Sequence, residues 1–172
     1  GDMMNRNIDF TSLSVSHIGY VVDCIEPNVM AFAALYGIKK FDVYDFRPIH
    51  AWAYGKEIFD CHFSIAMGVS QSGVNIELIQ PISGCHTPQM EFLMRCGGGI
   101  HHFSMNIENF DSWKAHFSEI SKLNIVFEAE VYDEIRGYRH CIYVQADQSG
   151  PVVEFAETRK GEDLRPQNSI PR

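Results

Sequence analysis

Val15-Ser16-His17-Ile18-Gly19-Tyr20-Val21-Val22-Asp23 and Ile100-His101-His102-Phe103-Ser104-Met105-Asn106-Ile107-Glu108 decide how this chain is read, because they are two versions of one pattern. Each alternates apolar and polar positions, as a half-buried strand does. Each carries a histidine and an acid six residues after it. Each is followed by a helix-like stretch. Pro27–Tyr36 is the first, stopped by Gly37, and Asp111–Lys122 is the second, with Asp111 in the N-cap position. Phe32 and Phe117 both lie 15 residues after their histidine.

The two halves also close alike. Ser72-Gly73-Val74-Asn75-Ile76-Glu77-Leu78-Ile79 matches Ser149-Gly150-Pro151-Val152-Val153-Glu154-Phe155-Ala156. Between helix and closing strand lie two further strand-like runs per half: Lys40–Tyr44 and Cys61–Met67, then Val126–Val131 and His140–Val144. The order is β-α-β-β-β, twice. Chance likeness of two strand-helix units would match one feature; here starts, middles and ends agree, which favours a duplication. The first module spans 13–81 and the second 98–157 of one domain. Residues 1–12 are an N-terminal extension, in which Gly1 ahead of Met3 reads as a cloning scar, and 158–172 a charged tail.

Side chains alternate across a strand, so parity assigns faces. Ile18, Tyr20 and Val22 share one face and His17 and Gly19 the other. Phe103, Met105 and Ile107 share one face and His102, Ser104 and Asn106 the other. His101 falls on the apolar parity, so its replacement is expected to spare metal binding that replacement of His102 abolishes. Ile76 and Leu78 point away from Glu77, as Val153 and Phe155 do from Glu154. A buried ionised carboxylate is costly unless it is paired or bound to a cation. Two modules related by a twofold axis would bring together His17, Glu77, His102 and Glu154. Two imidazoles and two carboxylates suit one divalent metal ion, either Zn2+ in a closed set or a six-coordinate Ni2+, Co2+, Mn2+ or Fe2+ with open positions. A rival set, Cys85, His86, Cys96 and His101, lacks the paired spacing of a zinc knuckle.

Composition sets the outer bounds. The 172 residues are 45% hydrophobic and 21% charged, an ordinary globular balance. Five cysteines without a C-x-x-C pair fit a reduced, cytoplasmic chain. No apolar run reaches the ~20 residues of a membrane span, and the start lacks a signal-peptide core. The net charge of −8, with no basic run, argues against nucleic acid. It leaves room for a small anionic ligand, because a few local cations reverse the field in one pocket.

Ser16-His17-Ile18-Gly19, Ile76-Glu77-Leu78-Ile79-Gln80-Pro81, Gly98-Gly99-Ile100-His101-His102-Phe103 and Val153-Glu154-Phe155 resemble the vicinal-oxygen-chelate superfamily, also called the glyoxalase/bleomycin resistance/dioxygenase superfamily. The likeness runs from about Leu13 to Glu157 and is greatest to methylmalonyl-CoA epimerases and lactoylglutathione-lyase-like proteins. It implies an α+β fold in which two paired βαβββ modules form a curved mixed sheet around a metal site. It carries His17, Glu77, His102 and Glu154 over as ligands. It implies an acyl-CoA or a glutathione hemithioacetal as small-molecule substrate. Epimerases also imply a second carboxylate base, for which Glu57 is nearest by type.

Such a site suits a metal-dependent isomerase or lyase that abstracts a proton next to a carbonyl through a metal-stabilised enediolate. Glu154 is the expected base and Glu77 its partner for proton return. Two other readings stay open: an extradiol-type non-haem iron dioxygenase built on two histidines and a carboxylate, and a non-catalytic small-molecule-binding protein. The aromatic insertion Asp45–Asp60 is either a loop packed at a module or dimer interface or a lid over the pocket. As a lid it would bring Arg47, His50 and Lys56 to an anionic ligand, with Arg136 and Arg139 on another rim. Open sheet edges need covering, so a homodimer is expected.

Overall fold

The structure is a computed structural model that describes residues 8–133, 136–147 and 150–160. Its elements run β1 (Val15–Val21), α1 (Ile25–Tyr36), β2 (Phe41–Phe46), β3 (His50–Ala53), β4 (Lys56–Ile58), β5 (His62–Val69), β6 (Asn75–Ser83), α2 (Pro88–Cys96), β7 (Gly99–Asn106), α3 (Phe110–Ser118), β8 (Leu123–Asp133), β9 (Gly137–Ala146) and β10 (Val152–Arg159). The strands form one mixed sheet in the order β2-β5-β6-β1-β7-β10-β9-β8-β3-β4.

That order is a palindrome about the β1–β7 seam, apart from the added β3–β4. In each half the first and last strands pair in parallel, β1 with β6 and β7 with β10. The inner pairs β5–β6 and β9–β10 are antiparallel, as are β2–β5 and β8–β9. The seam itself is antiparallel. Paired βαβββ modules in an α+β fold are therefore present, as the repeat requires.

Alternation along the strands separates three apolar clusters. Ile76, Leu78 and Ala66 pack beneath α1 with Val22 and Ile25. Ile142, Val144 and Phe155 pack beneath α3, against Phe110, Trp113 and Phe117. The opposite, concave face carries Phe63, Ile65, Ile79, Phe127 and Tyr143. Each large apolar side chain so buried contributes roughly 1.5–3 kcal/mol, and α1 and α3 thus hold the sheet from outside, leaving its inner face to carry a site.

Both predicted helices are present, with shifted ends. Helix α1 begins two residues early and stops at Gly37, which takes a left-handed conformation (φ 64°) with its N–H on the Ala33 carbonyl. Helix α3 begins after Asn109, not Asp111. Asn109 is itself left-handed (φ 58°) and turns the chain out of β7, which leaves Asp111 in the first turn. The helix ends at Ser118, short of Lys122.

Two elements lie outside the two-module expectation. Helix α2 fills the linker: Thr87 caps it by accepting from Met90 N–H at 3.2 Å, and Pro88 stands at its first position. Its Phe92 and Leu93 pack against the concave core. The Asp45–Asp60 insertion packs at the interface between the modules, as expected, but as strands and not as a loop, and its first residues, Asp45, Phe46 and Arg47, line the cavity beside Glu77 and Glu154. Strand β2 continues to Phe46, and β3 and β4 then form a hairpin around Tyr54 and Gly55, both at positive φ. Strand β3 crosses to the second module and pairs with β8, Ala51 opposite Ala129 and Ala53 opposite Phe127. Ala51 and Ala53 are small enough to be buried in the concave face.

Strand β10 runs to Arg159, two residues into the stretch read as a tail. The remaining tail, 161–172, and residues 1–7 of the extension lie outside the described residues. No helix among the described residues is long and apolar enough to cross a membrane.

Candidate metal centre

Strand register explains how four distant residues meet. Gly19 on β1 is the partner of Glu77 on β6 and, on its other side, of His102 on β7. Ser104 on β7 is the partner of His17 on β1 and of Glu154 on β10. Two rows therefore cross the seam, Glu77-Gly19-His102 and His17-Ser104-Glu154, related by the pseudo-twofold axis. Gly19 and Ser104 each stand two residues after a histidine, so both lie on the concave face. Both must be small. A Cβ built on Gly19 would lie 2.1 Å from Cε1 of His102.

The four side chains converge. Nε2 of His17 lies 3.5 Å from Oε1 of Glu77 and 3.4 Å from Oε1 of Glu154. Nε2 of His102 lies 3.3 Å from Oε1 of Glu77 and 3.9 Å from Oε1 of Glu154. The two Nε2 atoms are 3.4 Å apart. All four residues are buried.

The electrostatics are those of a crowded anionic cluster. Burial opposes charge on His17, but Glu77 and then Glu154 outweigh it and raise its pKa. Burial works against the Glu77 carboxylate too, yet His17 and His102 hold it well below the ordinary range. Glu154 is lowered despite its burial, chiefly by Arg139, whose Nη2 lies 3.3 Å from Oε1.

A divalent cation fits this donor set. Oε1 of Glu77 faces both histidine Nε2 atoms without a hydrogen bond of good geometry, and the hydroxyl of Ser104 is buried without a partner, an arrangement that costs free energy unless something polar satisfies it. Donor atoms of His17, His102 and Glu154 lie within 4.8 Å of one another. The spacings of 3.3–3.9 Å across the histidine–glutamate pairs are those of atoms sharing an ion at about 2.0–2.2 Å.

His101 departs from its predicted face. The β1–β7 ladder shifts by one residue between Gly19 and Tyr20, so His101 is the extra residue of a β-bulge. It turns inward, and its Nδ1 lies 3.1 Å from Nδ1 of His102. Burial, and then neighbouring His102, push its pKa down to about 3, so it stays neutral. The ring packs edge-on against Phe92 of α2. Cys85, His86, Cys96 and His101 do not come together as a metal-binding group among the described residues.

A cavity of about 210 Å³ opens beside the quartet, with Glu77 and Glu154 in its wall. Its apolar side is formed by Phe46, Phe63, Ile65 and Phe127, and Arg47, Arg136 and Arg139 are its cations. The expected rim of Arg136 and Arg139 is thus in place, as is Arg47. His50 and Glu57 instead pair with each other on the added hairpin, at 3.4 Å, and Lys56 is exposed. Glu57 lies away from the cavity wall, because β4 is the outermost strand. Tyr143 and Cys141, which also line the cavity, had no signal beyond the alternation of β9.

The chain belongs to the glyoxalase/bleomycin resistance protein/dioxygenase superfamily, whose sequence profile matches residues 16–121. Among solved structures it is similar to methylmalonyl-CoA epimerase from Mycobacterium tuberculosis, with a TM-score of 0.59 at 16% identity over 90% of this chain and 95% of that one. The Streptomyces coelicolor methylmalonyl-CoA epimerase in complex with 2-nitronate-propionyl-CoA gives 0.54 at 18% identity, over 85% and 98%. A variant of 4-hydroxymandelate synthase from Streptomyces coelicolor gives 0.56 at 10% identity over 92% of this chain and 52% of that one, so the chain spans about half that protein's length. At these identities the likeness is one of fold. No curated protein matches the sequence.

Proposed function

We propose that the chain is a metal-dependent enzyme that moves a proton at a carbon next to a carbonyl, in an epimerase- or glyoxalase-like reaction. The observation that carries this reading is the buried quartet, with one histidine and one carboxylate from each module. His17, Glu77, His102 and Glu154 would hold a divalent ion such as Co2+, Ni2+, Zn2+, Mn2+ or Fe2+. Such an ion, when bound, supplies Lewis-acid polarisation of substrate oxygens.

The chain's own groups do the rest. Glu154 takes the proton, and Arg139 keeps that carboxylate ionised beforehand. Glu77 stands across the pseudo-twofold axis and, once it has taken a proton from solvent, delivers it from the opposite side, while Glu154 gives up the abstracted proton to solvent. Phe46, Phe63 and Phe127 line the cavity and keep water from the reacting carbon. The acyl-CoA and hemithioacetal classes remain the first substrates to test.

The test is hydrogen exchange. Metal-loaded protein in D2O is incubated with methylmalonyl-CoA and with a glutathione hemithioacetal. Deuterium should appear at the carbon beside the carbonyl, and Glu154→Gln should slow this by ~100-fold or more, as loss of a general base does. Unchanged exchange in Glu154→Gln refutes the assignment of the base. The grouping of His17, His102 and Glu154 also favours a second reading, oxygen chemistry at iron. Oxygen uptake coupled to product, without deuterium incorporation, would decide for it.

A further inference from the structure

Arg139 is a cavity cation in contact with the quartet. It reaches from β9 into the cavity, with Nη1 donating to Oγ1 of Thr158 at 3.1 Å and Nη2 to Oε1 of Glu154 at 3.3 Å. A guanidinium has five N–H donors, so two contacts leave three. Arg136 is held differently. Its guanidinium carbon lies 3.3 Å from the centroid of the Tyr44 ring, and Nη1 lies 4.0 Å from the Asp133 carboxylate.

Asp133 faces Arg136, and Asp45 bonds His62 at 2.9 Å and also interacts with Arg47. A divalent ion at the quartet offsets Glu77 and Glu154. Arg139 is left with a carboxylate whose charge the ion already neutralises. A poorly compensated cation in a low-dielectric wall is costly, and a bound anion removes that cost. Phe46, Phe63 and Phe127 add an apolar lining to the same cavity. The volume of about 210 Å³ is that of about seven liquid waters and falls below the ~300–1,000 Å³ of pockets for drug-sized ligands. A nucleotide or tripeptide tail would have to lie outside it.

We infer that the reacting part of the substrate is a short carboxylic acid with an apolar body, its carboxylate gripped by Arg139 beside the metal and its hydrocarbon laid against Phe46, Phe63 and Phe127. This rests on the metal-centre reading above. It adds a requirement for negative charge that the quartet alone does not impose. Planar, two-pronged donation is what a guanidinium offers a carboxylate.

The test uses probes that differ in charge and not in shape. Protein loaded with Co2+ is titrated with 2-hydroxy-4-methylpentanoate and with its uncharged amide, followed by the cobalt absorption spectrum and by calorimetry. Both probes present two neighbouring oxygens. The acid should bind at least ~10-fold tighter than the amide. Arg139→Gln should weaken the acid by ~10–100-fold, the value of a charge-assisted hydrogen bond, and bring the ratio of acid to amide affinity toward one. Arg139→Lys should recover part of the loss. Metal content is measured for each variant, because Arg139 also touches Glu154. Equal affinity of wild-type protein for acid and amide overturns this inference alone, whatever the variants do. A wild-type protein that takes up no divalent metal overturns the parent reading.

Discussion

Gly19→Ala is the smallest change that should empty the metal centre. The added methyl carbon would lie 2.1 Å from Cε1, 2.4 Å from Nε2 and 2.6 Å from Nδ1 of His102. Ordinary carbon contacts begin near ~3.5 Å, so the imidazole must retreat by more than about 1 Å. Metal–ligand distances tolerate only about 0.2 Å, so one of four donors is lost. A loss of at least ~100-fold in metal affinity follows, or about 2.8 kcal/mol. The control is Gly68→Ala on β5, whose Cβ would meet Ile38 Cγ2 at 2.7 Å in the cluster under α1. That variant should lose thermal stability and keep its metal affinity. Competition against a chromophoric chelator, with circular dichroism to establish folding, measures both. A folded Gly19→Ala protein that binds metal as wild type does would refute the placement of His102.

Further outcomes follow from the same geometry. His101→Phe should weaken metal binding about 10–100-fold by removing the acceptor behind His102, whereas His101→Asn, which restores an acceptor near the Nδ1 position, should recover most of it; equal losses would reduce His101 to packing. Saturating metal at a hundred times Kd should add about 2.7 kcal/mol of stability, seen as a rise in Tm that EDTA reverses and that His17→Ala lacks; no response to any of the five metals would count against the centre. Glu128 is buried, which raises its pKa, but His140 at 2.8 Å and Lys114 at 2.7 Å outweigh burial and lower it. A lowered folded-state pKa contributes stability above the unfolded value, near 4.5, and loses it as pH falls through the folded value. Glu128→Gln should therefore flatten the acid side of a Tm–pH curve, and an unchanged slope would refute the coupling.

The repeat was legible because strand parity is local. Once His17 and His102 were matched, the faces of Glu77 and Glu154 followed by counting in twos, and register then brought all four together. His101 was misplaced because a bulge adds one residue, and one residue reverses a face. The Gly19 and Ser104 spacers had a signal that went unused: both follow a ligand histidine by two. Helix α2 was marked by Thr87, Pro88 and a terminal Gly97, but it has no counterpart in the repeat. The β3–β8 pairing joins residues near 51 and 129, a contact on which local alternation is silent. The asymmetry of the two halves was therefore the least visible feature.

That asymmetry has a consequence for inheritance and assembly. Two duplicated modules joined at a single seam could trade places between copies of the chain, each site then drawing ligands from two molecules. The β3–β4 hairpin works as a hasp against this. It leaves the first module, reaches the far rim of the second and locks there through the register from His50–Glu130 to Ala53–Phe127. To exchange halves, the chain would have to unfasten that rim and expose Ala51 and Ala53, which are 1% and 4% accessible. Separating the halves therefore means unpairing β3 from β8 as well as β1 from β7, and it uncovers Phe127, which stands opposite Ala53 and lines the cavity they share.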